Sequence, residues 1–122
     1  MNRLNVVDSS GWLEYLADTD RAAWFTEPIE DTENLIVPVI SIYEVCKKVL
    51  RERGENEALQ VASVMQSGRV VDLDAALAVE AIRHRMPLAD SIIYATALRF
   101  RATVWTQDED FKELPNVRFY PS

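Results

Sequence analysis

The chain has 122 residues, 48% hydrophobic and 27% charged, and its 20 acidic side chains outweigh 13 basic ones for a net charge of −7 at pH 7. That length suits one domain over residues 1–122, able to bury a little more than about 65% of its unfolded surface, and the composition excludes extended disorder and repeats. The acidic balance excludes broad, unspecific nucleic-acid binding through net charge, so any such contact must be local.

Asn5 to Val7 reads as a short buried strand stopping at Asp8, and Ser9, Ser10 and Gly11 supply cap chemistry for a helix carrying Leu13 and Leu16. A second helical stretch near Ala22 to Phe25 is cut by Pro28, and the acidic Glu30 to Glu33 segment reads as a loop. Leu35 to Val37 forms the next strand. Ser41 then opens an amphipathic helix with Ile42, Val45, Cys46, Val49 and Leu50 on one stripe, ending at Gly54. Ala58 to Met65 is a helix with Leu59, Ala62 and Met65 spaced for burial and Gly68 placed to terminate it. After a brief strand at Val70 and Val71, Asp74 caps a helix through Leu77, Ala78, Ala81 and Ile82, which ends before Pro87. Pro87 suits the start of a helix from Leu88 to about Arg101. A strand at Thr103 to Thr106, a turn at Gln107 to Asp110 and a last strand near Val117 to Tyr120 complete the chain. The alternation predicts an α/β fold with a mainly parallel sheet covered on both faces.

The longest apolar stretch, Leu35 to Tyr43, contains Pro38 and is too short to cross a bilayer, and residues 1 to 12 lack the pattern of a signal peptide. The lone Cys46 cannot build an intrachain disulfide framework. A cytoplasmic protein without membrane association is expected.

Four acids stand out by position. Asp8, Glu44, Asp90 and Asp108 each fall where a strand gives way to a helix or just inside a helix's first turn. In an open parallel sheet those places share one rim, the side on which such folds keep their ligand crevice. Two carboxylates about 4 Å apart repel by roughly 4 kcal/mol at an effective dielectric near 20, so a cluster of four must protonate or take up a cation. Carboxylate oxygens suit the hard ions Mg2+ or Mn2+.

Each acid also has a local explanation. Asp8 suits a helix cap, although Ser9 and Ser10 offer capping alternatives that leave its carboxylate free for the crevice. Ser41-x-x-Glu44 fits a capping box, and Glu44 to Lys48 is a favourable pair four residues apart. Asp90 complements a helix dipole after Pro87, and Asp108 lies in a polar turn with Gln107, Glu109 and Asp110. The common rim favours the convergent reading over four separate coincidences. His84 sits between Arg83 and Arg85 at a helix end and is assigned no chemistry; no second histidine exists for a typical zinc site. Cys46 faces the apolar stripe, and no Gly-rich phosphate loop is present. Basic residues gather in two places, Lys47, Lys48, Arg51 and Arg53 on one helix and Arg83, Arg85, Arg99 and Arg101 near another.

Over nearly its whole length the chain resembles the PIN-domain ribonucleases, in particular the VapC toxins of VapBC toxin–antitoxin pairs. The resemblance lies in Val6-Val7-Asp8-Ser9-Ser10 followed by Trp12-Leu13, in Ser41-Ile42-Tyr43-Glu44-Val45, in Leu88-Ala89-Asp90-Ser91-Ile92-Ile93-Tyr94-Ala95-Thr96-Ala97, and in Thr106-Gln107-Asp108-Glu109-Asp110-Phe111. It implies a PIN-like three-layer α/β/α fold with a central sheet of four or five strands. It further implies a pocket of Asp8, Glu44, Asp90 and Asp108 holding one or two Mg2+ or Mn2+ ions, with Ser9 and Thr106 as supporting hydroxyls. The family's Thr-x-Asp pattern favours Asp108 as the fourth acid; Asp110 then supports it or caps the short helix that follows. The implied activity is endoribonucleolytic hydrolysis of RNA phosphodiester bonds, leaving 5′-phosphate and 3′-hydroxyl ends. The implied partners are a VapB-type antitoxin and a second copy of the chain, for which Trp12, Tyr15, Trp24 and Phe25 serve either as interface or as core.

Two other readings compete. A phospho-acceptor receiver domain shares the length and the acidic sheet edge, but it calls for a phosphorylated Asp and a late Lys at strand ends where this chain has Pro38 and Thr106. A catalytically silent PIN-like binding protein is the third, with nothing in the four acids to favour it.

Overall fold

The side chains of three short strands alternate between two faces and so divide the molecule into layers. The computed structural model describes residues 3–121; residues 1, 2 and 122, the ends of the expected domain, lie outside the described residues. The strands are β1 (Asn5–Val7), β2 (Leu35–Pro38), β3 (Arg69–Val71), β4 (Thr103–Thr106) and β5 (Val117–Phe119), in the order β3-β2-β1-β4-β5, with every pairing parallel. Val6 is in register with Ile36 and Val104, and these three pack on one face with α6 (Leu88–Arg99). Val7, Val37 and Trp105 face the other way, against α1 (Ser9–Leu16), α2 (Ala22–Glu30), α3 (Val39–Arg53) and α4 (Glu55–Met65). A smaller cluster joins α5 (Ala75–Ala81) to α6 through Leu77, Ala81, Ile92 and Ala95. The result is an α/β/α sandwich whose central sheet has five strands, all parallel.

This order locates a crevice. The chain runs outward from β1 to β2 and β3, then returns to lay β4 on the other side of β1, so the order reverses between β1 and β4. Open α/β sheets hold their ligands outside the carboxyl ends of the strands at such a point. Receiver domains have the order 2-1-3-4-5. The order here removes that alternative.

Several local expectations shift. The helix expected to break at Pro28 continues to Glu30, because the proline sits in its last turns and is buried with Ile29. The segment expected as a loop from Glu30 to Glu33 is divided between the end of α2 at Glu30 and a 3-10 turn at Thr32–Asn34. The third helix begins at Val39, two residues before Ser41, since Pro38 ends β2 with extended geometry (φ −61°, ψ 135°). Leu50, placed on its buried stripe, is 51% exposed. In α4 the buried residues are Ala58, Val61 and Met65, whereas Leu59 is 62% exposed. Ile82 likewise projects outward beyond α5, which Asp74 does cap, accepting from the Leu77 amide at 2.8 Å. Gly68 ends no helix: a Cβ there would stand 2.9 Å from the Leu35 carbonyl oxygen, so its role is close strand approach. Trp12 and Phe25 are fully buried, and Tyr15 and Trp24 pack against the same core. Among the described residues, no helix is long and apolar enough to cross a membrane.

Candidate active site

Asp8 is the first residue past β1, and the sheet holds its backbone, whose amide donates to the Trp105 carbonyl at 3.2 Å. Its side chain caps α1, with Oδ1 accepting from the Gly11 amide at 2.9 Å. The expectation that the serines would free Asp8 from capping is therefore corrected. Ser10 instead braces the carboxylate, its Oγ lying 2.8 and 2.9 Å from the two oxygens, and Thr106 Oγ1 donates to Oδ2 at 2.6 Å. Capping and facing the crevice are compatible because a carboxylate has two oxygens and several lone pairs. Gly11 lets α1 pack this closely on β1 and α2: a Cβ would lie 2.7 Å from both Phe25 Cδ1 and Val7 Cγ1.

Glu44 lies in the second turn of α3, since that helix starts at Val39. The capping-box reading fails accordingly: Ser41 is inside the helix, and its buried Oγ has no hydrogen-bond partner among the described residues. Lys48 pairs with Glu52 at 4.0 Å rather than with Glu44. The Glu44 carboxylate turns instead to α1, where Ser9 Oγ donates to Oε1 at 2.6 Å.

Asp90 stands in the first turn of α6, after Pro87 as the capping residue. Asp108 follows β4 by two residues. Its amide donates to Thr106 Oγ1 at 2.9 Å, so one hydroxyl connects the ends of β1 and β4. Asp108 also caps the 3-10 turn Glu109–Phe111, accepting from the Asp110 amide at 2.9 Å. The cap of that turn is Asp108, and the Asp110 side chain is left for the cleft.

All four sequence-selected acids and Asp110 line one cleft of about 590 Å³, together with Ser9, Ser10 and Tyr43. Within it, Asp90, Asp108 and Asp110 each offer a carboxylate oxygen within 4.8 Å of the others. Asp8 and Glu44 border this trio and are not part of it. Sequence reasoning left the place of Asp110 open and missed Ser10, whose signal was its position two residues after an acid in a strand-to-helix turn.

Electrostatics reflect the crowding. Burial, followed by the charges of Asp108, Asp8, Glu44 and Asp110, pushes the Asp90 carboxyl up from 3.8 to about 7. Burial also raises Asp8 to about 6, against the opposing hydrogen bonds from Thr106, Gly11 and Ser10. A carboxyl whose ionised form is disfavoured by burial and by like charges is relieved by a proton or by a cation. The donors here are all oxygens and mostly carboxylates, the set that suits Mg2+ or Mn2+ and not a soft metal.

Comparison with known proteins agrees with this architecture. The family model described as "PIN domain" matches residues 6–117. A toxin–antitoxin complex from Klebsiella pneumoniae has a chain that superposes with a TM-score of 0.76 at 19% identity, over 97% of this chain and 99% of that one. The sarcin-ricin-loop-cleaving toxin VapC20 of Mycobacterium tuberculosis gives 0.76 at 19% identity, over 96% and 99%. A chain of DNA-bound VapBC from Salmonella typhimurium gives 0.74 at 14% identity, over 98% of each. At these identities the likeness concerns the fold. A sequence search of curated proteins finds no match.

Proposed function

The chain belongs to the PIN-domain family, and from that premise we propose that it is an endoribonuclease that hydrolyses RNA phosphodiester bonds with Mg2+ or Mn2+, as the toxin of a type II toxin–antitoxin pair. The observation that carries the proposal is the oxygen-only trio Asp90, Asp108 and Asp110 within 4.8 Å, set in a cleft that Asp8 and Glu44 complete. The likeness to toxin–antitoxin structures supports the biological setting. On this reading residues 1–122 form one domain that works in the cytoplasm.

Asp90, Asp108 and Asp110 would hold the ion, with Asp8 and Glu44 alongside as ligands or as groups that orient the attacking water. When bound, a divalent ion neutralises these acids, lowers the pKa of water and stabilises charge on the leaving oxygen. The chain's own residues do the positioning. Thr106 and Ser10 hold Asp8 in one orientation, and Ser9 holds Glu44, so neither carboxylate must be ordered when substrate arrives. The basic face of α3 guides the phosphate backbone. Lys47 is its nearest cation to Glu44 along the helix, while Lys48 is paired with Glu52 and Arg53 with Glu57. This contribution weakens as salt rises. Products carry 5′-phosphate and 3′-hydroxyl ends. A VapB-type antitoxin inhibits by placing a basic side chain among the acids, and the toxin works as a homodimer.

The decisive experiment incubates purified protein with structured and unstructured RNAs in Mg2+, Mn2+ or chelator, beside Asp8→Ala. Cleavage is expected only with metal and only in the parent chain. Cleavage that survives chelation, or an equally active Asp8→Ala, would overturn the proposal. RNA binding without cleavage under any metal would favour the silent PIN-like protein.

A further inference from the structure

Three carboxyl groups crowded within 4.8 Å repel as they ionise, and the repulsion acts between the turn that carries Asp108 and Asp110 and α6, which carries Asp90. The turn must be tied to the rest of the fold if it is to keep its place, and a tie made outside the cleft lining does so without pairing any of the acids. Arg21, just before α2, makes that connection. Its Nη1 donates to Gln107 Oε1 at 2.6 Å, and Gln107 is the residue between Thr106 and Asp108. Its Nη2 donates to the Pro121 carbonyl at 2.6 Å. The guanidinium lies 4.6 Å from the centre of the Trp24 ring, and Trp24 stacks on Tyr120 at 4.7 Å and 18°. The Tyr120 amide in turn donates to the Thr106 carbonyl at 2.9 Å. The start of α2, the tail after β5 and the acid-bearing turn thus meet at one side chain.

We propose that Arg21 is a positioning residue for the acid site: through Gln107 it anchors the Thr106–Asp110 turn and holds the Asp108 and Asp110 carboxylates against Asp90. Arginine suits the task because its planar fork reaches two acceptors in different segments while its face lies on an aromatic ring. A lysine makes no such fork. Both acceptors are uncharged and Arg21 is not among the residues that line the cleft, so its charge-assisted bonds tie the turn without pairing any of the acids. The inference rests on the acid cleft being the catalytic site.

The test uses the full chain with Arg21→Met, Arg21→Lys, Gln107→Met and the Arg21→Met/Gln107→Met double variant, beside Asp90→Asn. Hydrogen exchange is read at the Asp108 and Asp110 amides, Mn2+ affinity by calorimetry, and kcat and KM on RNA. Arg21→Met and Gln107→Met should each speed exchange at those two amides about tenfold while the Val6 and Val7 amides stay protected. Mn2+ affinity should fall, and kcat should drop by about tenfold to a hundredfold with KM within about twofold. Arg21→Lys should fall between, and the double variant should be no worse than Arg21→Met alone. Unchanged exchange at Asp108 and Asp110, additive losses, or equal loss of protection in β1 would overturn the proposal. If Arg21→Met does not fold, Gln107→Met, which removes only the acceptor, decides the matter. An Asp90→Asn variant that cleaves RNA like the parent would sink the nuclease reading instead, and the exchange data would still judge the anchor.

Discussion

Two corners of the same cleft treat negative charge in opposite ways. At the β1 corner, Asp8 is 2% exposed and both its oxygens accept hydrogen bonds, from Gly11, Ser10 and Thr106. At the α6 corner, the Asp90 carboxylate has no hydrogen-bond donor among the described residues and faces Asp108 and Asp110 instead. The fold supplies its own donors to the first carboxylate and withholds them from the second. A carboxylate tied by the protein's own donors is a fixed feature of the scaffold, whereas one with no donor and acids for neighbours is open to a cation from outside.

Breaking each corner should separate the two roles. Asp90→Asn should lower RNA cleavage by more than about a hundredfold, beyond the 10- to 100-fold typical of a residue that merely supports a ligand. It should leave the thermal midpoint equal or higher, because repulsion is relieved. Asp8→Ala should abolish cleavage to a similar degree but also cost about 1 to 3 kcal/mol of stability, through the lost cap and three orphaned donors. That cost should be larger near pH 5 than near pH 8, since folding disfavours the ionised form of this buried carboxyl. Equal effects of the two variants on denaturant midpoints would erase the distinction.

Titration sharpens it. In chelator, folding holds protons on Asp90 between 3.8 and about 7 and on Asp8 between 3.8 and about 6, where the unfolded chain has released them. The folded state then binds more protons than the unfolded one, so stability declines as pH rises through that window and levels off above about 7. Added Mn2+ should raise the midpoint more near pH 7.5 than near pH 5, and Asp90→Asn should flatten the slope between about 6 and 7. A shift on Mn2+ addition that is independent of pH would contradict the open-corner account. The smallest effect belongs to Ser9→Ala, which releases Glu44 from its single hydroxyl donor. About a three- to tenfold loss of kcat is expected, with stability within about 0.5 kcal/mol of the parent.

Much of the site could be read from local pattern. Asp8 after a buried Val-Val pair, Asp90 after a helix-starting proline and Asp108 two residues past a strand were all placed on the rim that they occupy. Glu44 was reached for a partly mistaken reason, since the helix starts at Val39 and Glu44 sits a turn deeper than a capping box requires. The face of α4 was misphased because its pattern offers Leu59 as readily as Val61, and only the position of α3 selects the latter. Asp110 could not be sorted within an Asp-Glu-Asp turn, because its membership of the trio depends on a helix that starts some 20 residues earlier in the chain. Arg21 and Gln107 are 86 residues apart and share no motif.

The sequence by itself determined the layers and the rim, because alternation along a strand and the signals that start a helix act over a few residues and need no partner. Only the tertiary structure decided which carboxylates receive donors and which are left to repel one another. A side chain's electrostatic environment is assembled from segments that the chain order keeps far apart, and local pattern carries no record of it.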